Sequence, residues 1–238
     1  QAARREGSGM DLSTFVSRLD EKLDTDAYSD LDASANGLQV GPDEKPLDHA
    51  AFAVDAAVAT IEDAADAGAD ALVTHHGLSW GGIERVTDRH YDRISALVDN
   101  NIALYVSHLP LDGHQTLGNA AVIADLLDLD DTEPFGTMGP EVVGQQGIAP
   151  ASLTRDELAT TLEADLETDD VQVLDFGPEE IDRVAIVTGS GTDWLDEARE
   201  AGADTLITGE GKQQVYHRAR EAEINVVLAG HYATETGG

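Results

Sequence analysis

The sequence predicts an α/β protein built from two duplicated α/β repeats with mixed, mostly parallel sheets. Apolar strands alternate with amphipathic helices of about 10–15 residues along the chain, the pattern of βαβ units. A block in the first half, Ala65-Asp66-Ala67-Gly68-Ala69-Asp70-Ala71-Leu72-Val73-Thr74, recurs at a constant offset as Arg199-Glu200-Ala201-Gly202-Ala203-Asp204-Thr205-Leu206-Ile207-Thr208. Two apolar runs also end alike, in Ser107-His108-Leu109-Pro110-Leu111-Asp112 and Gly230-His231-Tyr232-Ala233-Thr234-Glu235, each with a His four residues before a carboxylate.

The elements follow from the local pattern. Leu12, Phe15, Val16, Leu19 and Leu23 recur at helical spacing and predict a helix over 12–23. The first repeat continues with a strand over 50–54, a helix over 57–67, a strand over 71–74, a helix over 88–99, a strand over 102–106 and a helix over 117–127. A segment rich in Asp, Glu, Pro and Gly, 128–140, reads as the seam between repeats. The second repeat has a strand over 142–148, a helix over 154–166, strands over 171–174 and 184–188, a helix over 193–201, a strand over 205–207, a helix over 213–221 and a strand over 225–228. In both copies of the recurring block a helical pattern closes at Gly, where a left-handed C-cap costs little, and a strand follows. The repeats are accordingly expected at 10–130 and 141–238. Residues 1–9 have no periodicity and are set aside as an upstream extension or cloning remnant.

Composition restricts the functions. The chain has 47 Asp plus Glu against 14 Lys plus Arg, a formal charge of -33, and only Lys22, Lys45 and Lys212 are lysines. Such a surface repels itself at ordinary salt and suits a halophilic, high-salt cytoplasm, where the screening length falls to about 3 Å at 1 M. With no broad Lys/Arg cluster, a nucleic-acid surface is not expected. Zero cysteines exclude disulfides and thiolate zinc sites, leaving His, Asp and Glu as metal donors. No apolar run approaches the roughly 18 residues of a membrane span, and there is no signal-peptide core near the start, so a cytoplasmic protein is expected.

The donors fall where an α/β sheet holds ligands, at the carboxyl ends of strands: His75-His76, His108 with Asp112, and His231 with Glu235. Mixed imidazole and carboxylate donors suit a divalent ion of the Zn, Fe, Mn, Co or Ni group, and there are more of them than one ion needs. Adjacent strand side chains point to opposite faces, so the His75-His76 pair reaches one ion only where the strand turns into a loop, or serves two. Glu210 occupies the place of His76 in the second copy and is a candidate general base or a partner to one of the metal donors. Gly189-Ser190-Gly191, between strand and helix, is a candidate phosphate loop, although it lacks the full glycine fingerprint. Trp80 and Tyr232 adjoin the donor positions. His49, His90 and His217 read as surface or structural groups, and His114 as a neighbour of Asp112.

Asn36-Gly37-Leu38-Gln39-Val40-Gly41, Thr74-His75-His76-Gly77-Leu78-Ser79-Trp80, His108 to Asp112 with Gly118-Asn119, Thr208-Gly209-Glu210 and Gly230 to Glu235, in this order, resemble the Nif-three-like dinuclear metal-centre proteins, the type 2 GTP cyclohydrolase I homologues. That resemblance implies intertwined repeats and a homo-hexameric ring. It also implies two metal ions held by residues matching His75, His76, Asp112, His231 and Glu235, with His108 close by. Members usually continue for another helix and strand past the last motif, whereas this sequence ends at Gly238. The resemblance points to a dinuclear metal-dependent hydrolase that directs an activated water at a purine nucleotide. Other readings are a phosphoester or C–N hydrolase, a metal carrier or insertion factor, and a ring-shaped scaffold with a structural metal.

One consequence is testable on any preparation. The melting temperature should rise from about 0.1 to 3 M KCl as carboxylate repulsion is screened; an unchanged value would remove the high-salt reading.

Overall fold

The computed structural model describes residues 9–151 and 153–238; nearly all of the proposed leader lies outside the described residues. In chain order the elements are β1 (Met10–Asp11), α1 (Leu12–Leu23), β2 (Gly37–Val40), β3 (Pro46–Leu47), β4 (Ala50–Asp55), α2 (Val58–Asp66), β5 (Ala71–His76), α3 (Asp88–Asp99), β6 (Ala103–Val106), α4 (Leu109–Asp112), α5 (Asn119–Leu126), β7 (Asp130–Met138), β8 (Glu141–Ile148), α6 (Arg155–Asp165), β9 (Gln172–Asp175), β10 (Arg183–Ile186), α7 (Leu195–Glu200), β11 (Thr205–Thr208), α8 (Val215–Ala222), β12 (Asn225–Leu228) and α9 (His231–Thr234). The chain forms two compact units, one ending at His108 and the other running Leu109–Gly238.

The first unit holds a four-stranded sheet in the order β2-β6-β5-β4, and β1 pairs with β3 beside it. The strands β4, β5 and β6 are parallel and β2 is antiparallel to β6. Side chains alternate across this sheet. Leu72, Leu104 and Val106 pack with Ile61 and Ala64 of α2 and Leu97 of α3, while Ala71 and Ala103 pack with Leu12, Phe15 and Val16 of α1. Apolar residues on both faces explain why β5 and β6 read as continuous apolar runs and not as alternating ones.

The second unit holds a six-stranded sheet in the order β7-β8-β10-β11-β12-β9. Its parallel trio β10-β11-β12 has antiparallel β9 beside β12 and antiparallel β8 beside β10. The order β10-β11-β12-β9 repeats β4-β5-β6-β2, with helices between the same strands, so the sheets are mixed and the α/β repeat is duplicated. The copies also share a clip. The Asp70 Oδ2 accepts the backbone N–H groups of Asp48 and His49 at 2.8 and 3.1 Å, and the Asp204 Oδ2 accepts those of Asp182 and Arg183 at the same distances. Gly68 and Gly202 take φ of +74° and +81° at the matching helix exits, a conformation cheap only for glycine.

Two sequence expectations change. The segment read as a seam contains β7, which pairs with β8 through a bulge and lies wholly inside the second unit. Its Pro134 is tolerated because β7 is a sheet edge, where the missing N–H removes no central ladder bond. The helix read over 117–127 is Asn119–Leu126, and α4 precedes it as a separate turn carrying Asp112. Among the described residues no helix is long and apolar enough to cross a membrane.

The clips predict paired effects. Asp70→Ala and Asp204→Ala should each destabilise the fold by about 1 kcal/mol in denaturant unfolding. At Asp70, burial raises the carboxyl pKa, but the Asp48 and His49 amides and Lys45 outweigh it and hold the value below the ordinary one. A depressed folded value stabilises above the unfolded pKa, so this contribution should fade as pH drops below the usual carboxylate range. Equal stability of wild type and both variants at neutral pH would contradict the clip.

Candidate metal centre

In the first unit three imidazoles meet where the strands end. His75 and His76 close β5, and His108 comes two residues after β6, so parallel strands deliver all three to the same sheet edge. Ring centroids are 4.8 Å apart for His75 and His76, 4.9 Å for His75 and His108, and 5.6 Å for His76 and His108. Their donor nitrogens lie within 4.8 Å of one another, a spacing that could hold a metal ion. His75 is buried and His76 and His108 are half-buried. The sequence expectation kept His108 at the margin; the geometry makes it the third member of the trio.

Each ring is oriented through Nδ1. The His75 Nδ1 lies 2.9 Å from the Ser107 carbonyl oxygen, His76 Nδ1 lies 2.9 Å from Asp55 Oδ1, and His108 Nδ1 lies 2.9 Å from Asp32 Oδ1. A carbonyl or an ionised carboxylate can only accept, so the proton resides on Nδ1 and Nε2 is the nitrogen offered to a metal. Asp32 also accepts from the Asn36 amide at 2.8 Å, and Asn36 Oδ1 accepts the His108 backbone N–H at 2.7 Å. Burial of Asp32 pushes its pKa up, but hydrogen bonds from His108, Asn36 and the Ser34 amide, with the His108 charge, prevail and lower it. Gln39 ties the loop after β5 in place, accepting from the Leu78 N–H and donating to the Ala35 carbonyl. A Cβ on Gly77 would lie 2.5 Å from Gln39 and from Val106, which explains the glycine after the His pair.

The second unit carries Asp112, His231 and Glu235. His231 comes three residues after β12, following Gly230 with φ of +95°, one residue later than His108 comes after β6. Its Nδ1 is 2.9 Å from Glu210 Oε1 and its Nε2 is 3.0 Å from Glu235 Oε1. Glu210, the counterpart of His76, is thus placed on His231, and Ser190 donates to it at 2.6 Å. The hydrogen bond to Glu235 raises the His231 pKa to about 9 against the opposing effect of burial, with the Glu210 hydrogen bond adding to the rise. The hydrogen bond from Ser190 leads the lowering of Glu210, followed by that from His231. Asp112 is buried and accepts from Asn119 at 2.9 Å and from the Thr188 hydroxyl at 3.2 Å.

Gly189-Ser190-Gly191 serves as packing for these donors. The Gly189 and Gly191 N–H groups go to the Thr234 and Thr208 hydroxyls, so two of the loop's three amides have protein partners where a phosphate cradle would present them. A Cβ on Gly189, at φ of +64°, would fall 2.7 Å from Glu235 Oε1 and 3.2 Å from His231 Nε2. Among the remaining histidines, His114 Nδ1 accepts the Thr116 and Leu117 amides, while His49 and His217 are exposed. His90 departs from the expectation of a surface group, being partly buried on α3 and lining a cleft. Trp80 and Tyr232 are both substantially exposed, and Trp80 packs edge-on against His108 at 4.9 Å.

An α/β scaffold with His and carboxylate donors at its strand ends defines a candidate metal-binding protein. The chain belongs to the Duf34/NIF3 (NGG1p interacting factor 3) family, whose profile matches residues 10–238. A relative from Halobacterium salinarum named GTP cyclohydrolase 1 type 2 homolog is 56% identical over 231 residues, covering 96% of this chain and 90% of its own length. A relative of the same name from Escherichia coli is 38% identical over 224 residues, covering 92% and 86%. The crystal structure of TTHA1606 from Thermus thermophilus is similar with a TM-score of 0.87 and 34% identity, covering 96% of this chain and 90% of that one.

The His231 environment is directly measurable. In metal-stripped protein, NMR titration should place its pKa about 9, and Glu235→Gln should lower it. A raised folded pKa stabilises fully below the unfolded value and is lost as pH rises through about 9. A His231 titrating at the ordinary histidine pKa would refute the pairing.

Proposed function

We propose that the chain is a dinuclear metal-dependent hydrolase acting on a purine nucleotide in the manner of a type 2 GTP cyclohydrolase I. The observation that carries this reading is the shared preparation of His75, His76, His108 and His231: each Nδ1 lies beside an oxygen acceptor, which leaves Nε2 as the nitrogen a metal would take, in His231 by displacing the proton shared with Glu235. The first unit offers three donors, His75, His76 and His108, and the second offers three, Asp112, His231 and Glu235, so bound ions would keep the open positions that catalysis needs and a closed structural site lacks. The donor set fits Zn, Fe, Mn, Co or Ni. When bound, two such ions supply Lewis acidity and acidify a water near neutral pH.

The protein's part is positioning. Asp55, Asp32 and the Ser107 carbonyl hold the rings of the first unit, and Glu210 with Ser190 holds His231. Glu210 therefore acts through His231, and a base role for it would require releasing that ring. Were two ions bound, Glu235 would be the carboxylate to share between them, because it has two oxygens and its Oε1 lies 3.0 Å from His231 Nε2. The nucleotide substrate is supported by the shared name of the Halobacterium salinarum and Escherichia coli relatives. High-salt adaptation, a cytoplasmic setting and a homo-hexameric ring belong to the same proposal.

Elemental analysis and a nucleotide turnover screen test it. Wild type should carry two ions per chain and turn over a purine nucleotide. Glu235→Gln keeps the size and removes the charge, so metal content should fall to one ion or none and turnover with it. Two ions retained in Glu235→Gln would remove the bridge. Two ions in wild type without any turnover would favour a metal carrier.

A further inference from the structure

The loop between β5 and α3, residues 77–87, is longer than its counterpart 209–214 in the second copy, and it lines a cleft that the metal donors do not use. The cleft has a volume of about 250 Å³, and its side chains include Trp80, Arg89, His90 and Arg93. Its charge is unlike that of the chain. In a protein with 47 acidic and 14 basic residues, this lining has two guanidinium groups, one imidazole and no carboxylate. Arg89 and Arg93 are four residues apart on α3, and like charges at that spacing repel. An anion relieves the repulsion.

Trp80 joins this cleft to the imidazole trio. It lines the cleft, packs against His76 at 5.8 Å and His108 at 4.9 Å, and is 47% exposed. The forked guanidinium matches phosphate oxygens in pairs, and an exposed indole offers a face on which a base can stack. A cleft of about 250 Å³ is below the ~300–1,000 Å³ that encloses a drug-sized ligand. Only the phosphate end and sugar therefore fit inside, with the base at the mouth.

The geometry points to this cleft as a nucleoside-polyphosphate subsite: Arg89 and Arg93 hold the phosphates, and Trp80 stacks the base at the edge of the histidine cluster. The assignment rests on the nucleotide reading of the proposed function for what the ligand does next, but it makes a binding claim independent of metal. Calorimetric titration of full-length, chelator-stripped protein with GTP, guanosine and inorganic pyrophosphate, at one KCl concentration that keeps it folded, separates the two.

GTP and pyrophosphate should bind, with guanosine at least about tenfold weaker. Arg89→Gln and Arg93→Gln should each weaken GTP and pyrophosphate about tenfold, while Arg220→Gln, on the exposed surface of α8, changes neither. Metal uptake and the far-ultraviolet circular dichroism spectrum should match wild type in both cleft variants. Trp80→Leu should weaken GTP and spare pyrophosphate. GTP affinity unchanged in both folded arginine variants overturns the subsite, as does GTP binding that appears only with metal and ignores the arginines. GTP affinity unchanged in Trp80→Leu overturns the stacking. Arginine-dependent GTP binding in a protein that takes up no metal would instead overturn the dinuclear hydrolase and leave this subsite standing.

Discussion

A neutral imidazole has one nitrogen that carries a proton and one that can bind a metal, and fixing the first selects the second. His75, His76, His108 and His231 each have Nδ1 beside an oxygen acceptor: the Ser107 carbonyl, Asp55, Asp32 and Glu210. The rest of the architecture can be read as what keeps these acceptors in place. The Ser107 carbonyl is fixed because β6 runs parallel to β5, and Asp55 stands opposite His76 in the β4–β5 register. Asp32 is held by Asn36 and the Ser34 amide, and Glu210 by Ser190. An unheld ring could rotate or change tautomer, and the donor set would lose its geometry.

Duplication explains how one scaffold came to offer two donor sets that are not alike. Parallel strands place their carboxyl ends on the same sheet edge, so residues just past β5, β6, β11 and β12 fall at equivalent points of the two sheets. The matching Asp70 and Asp204 clips and the Gly68 and Gly202 helix exits preserve the scaffold. At the edge itself the copies diverged: the place of a donor imidazole, His76, is taken in the second copy by Glu210, which orients His231. The longer connection 77–87, with Trp80, has only the short 209–214 as its counterpart.

Much of this was legible in the sequence because it is local. The 3.6-residue spacing of Leu12, Phe15, Val16 and Leu19, the apolar runs of β5 and β6, and the repeated block each register within a short window. The candidate donors stood out because four of the eight histidines fall at or just past the ends of parallel strands. Their partners did not. Asp32 and Asp55 are two among 47 acidic residues, and His108 meets Asp32 only because the β2–β6 pairing brings distant segments together. The strand β7 was hidden by a turn-like composition that a bulged edge strand tolerates. His90 read as a surface group, since only the fold of the 77–87 connection turns its side of α3 into a cleft. The equivalence of the two His-to-carboxylate segments was legible to within one residue, the difference arising at Gly230.

Nitrogen-15 NMR of the histidine side chains in zinc-loaded protein reads the state of each ring, because bound and protonated ring nitrogens differ in shift and coupling. His75, His76, His108 and His231 should all carry their proton on Nδ1, and zinc should perturb Nε2 of each. Zinc on Nδ1 of any of the four, or a zinc-loaded spectrum in which their Nε2 signals are unchanged from the metal-free protein, would contradict this.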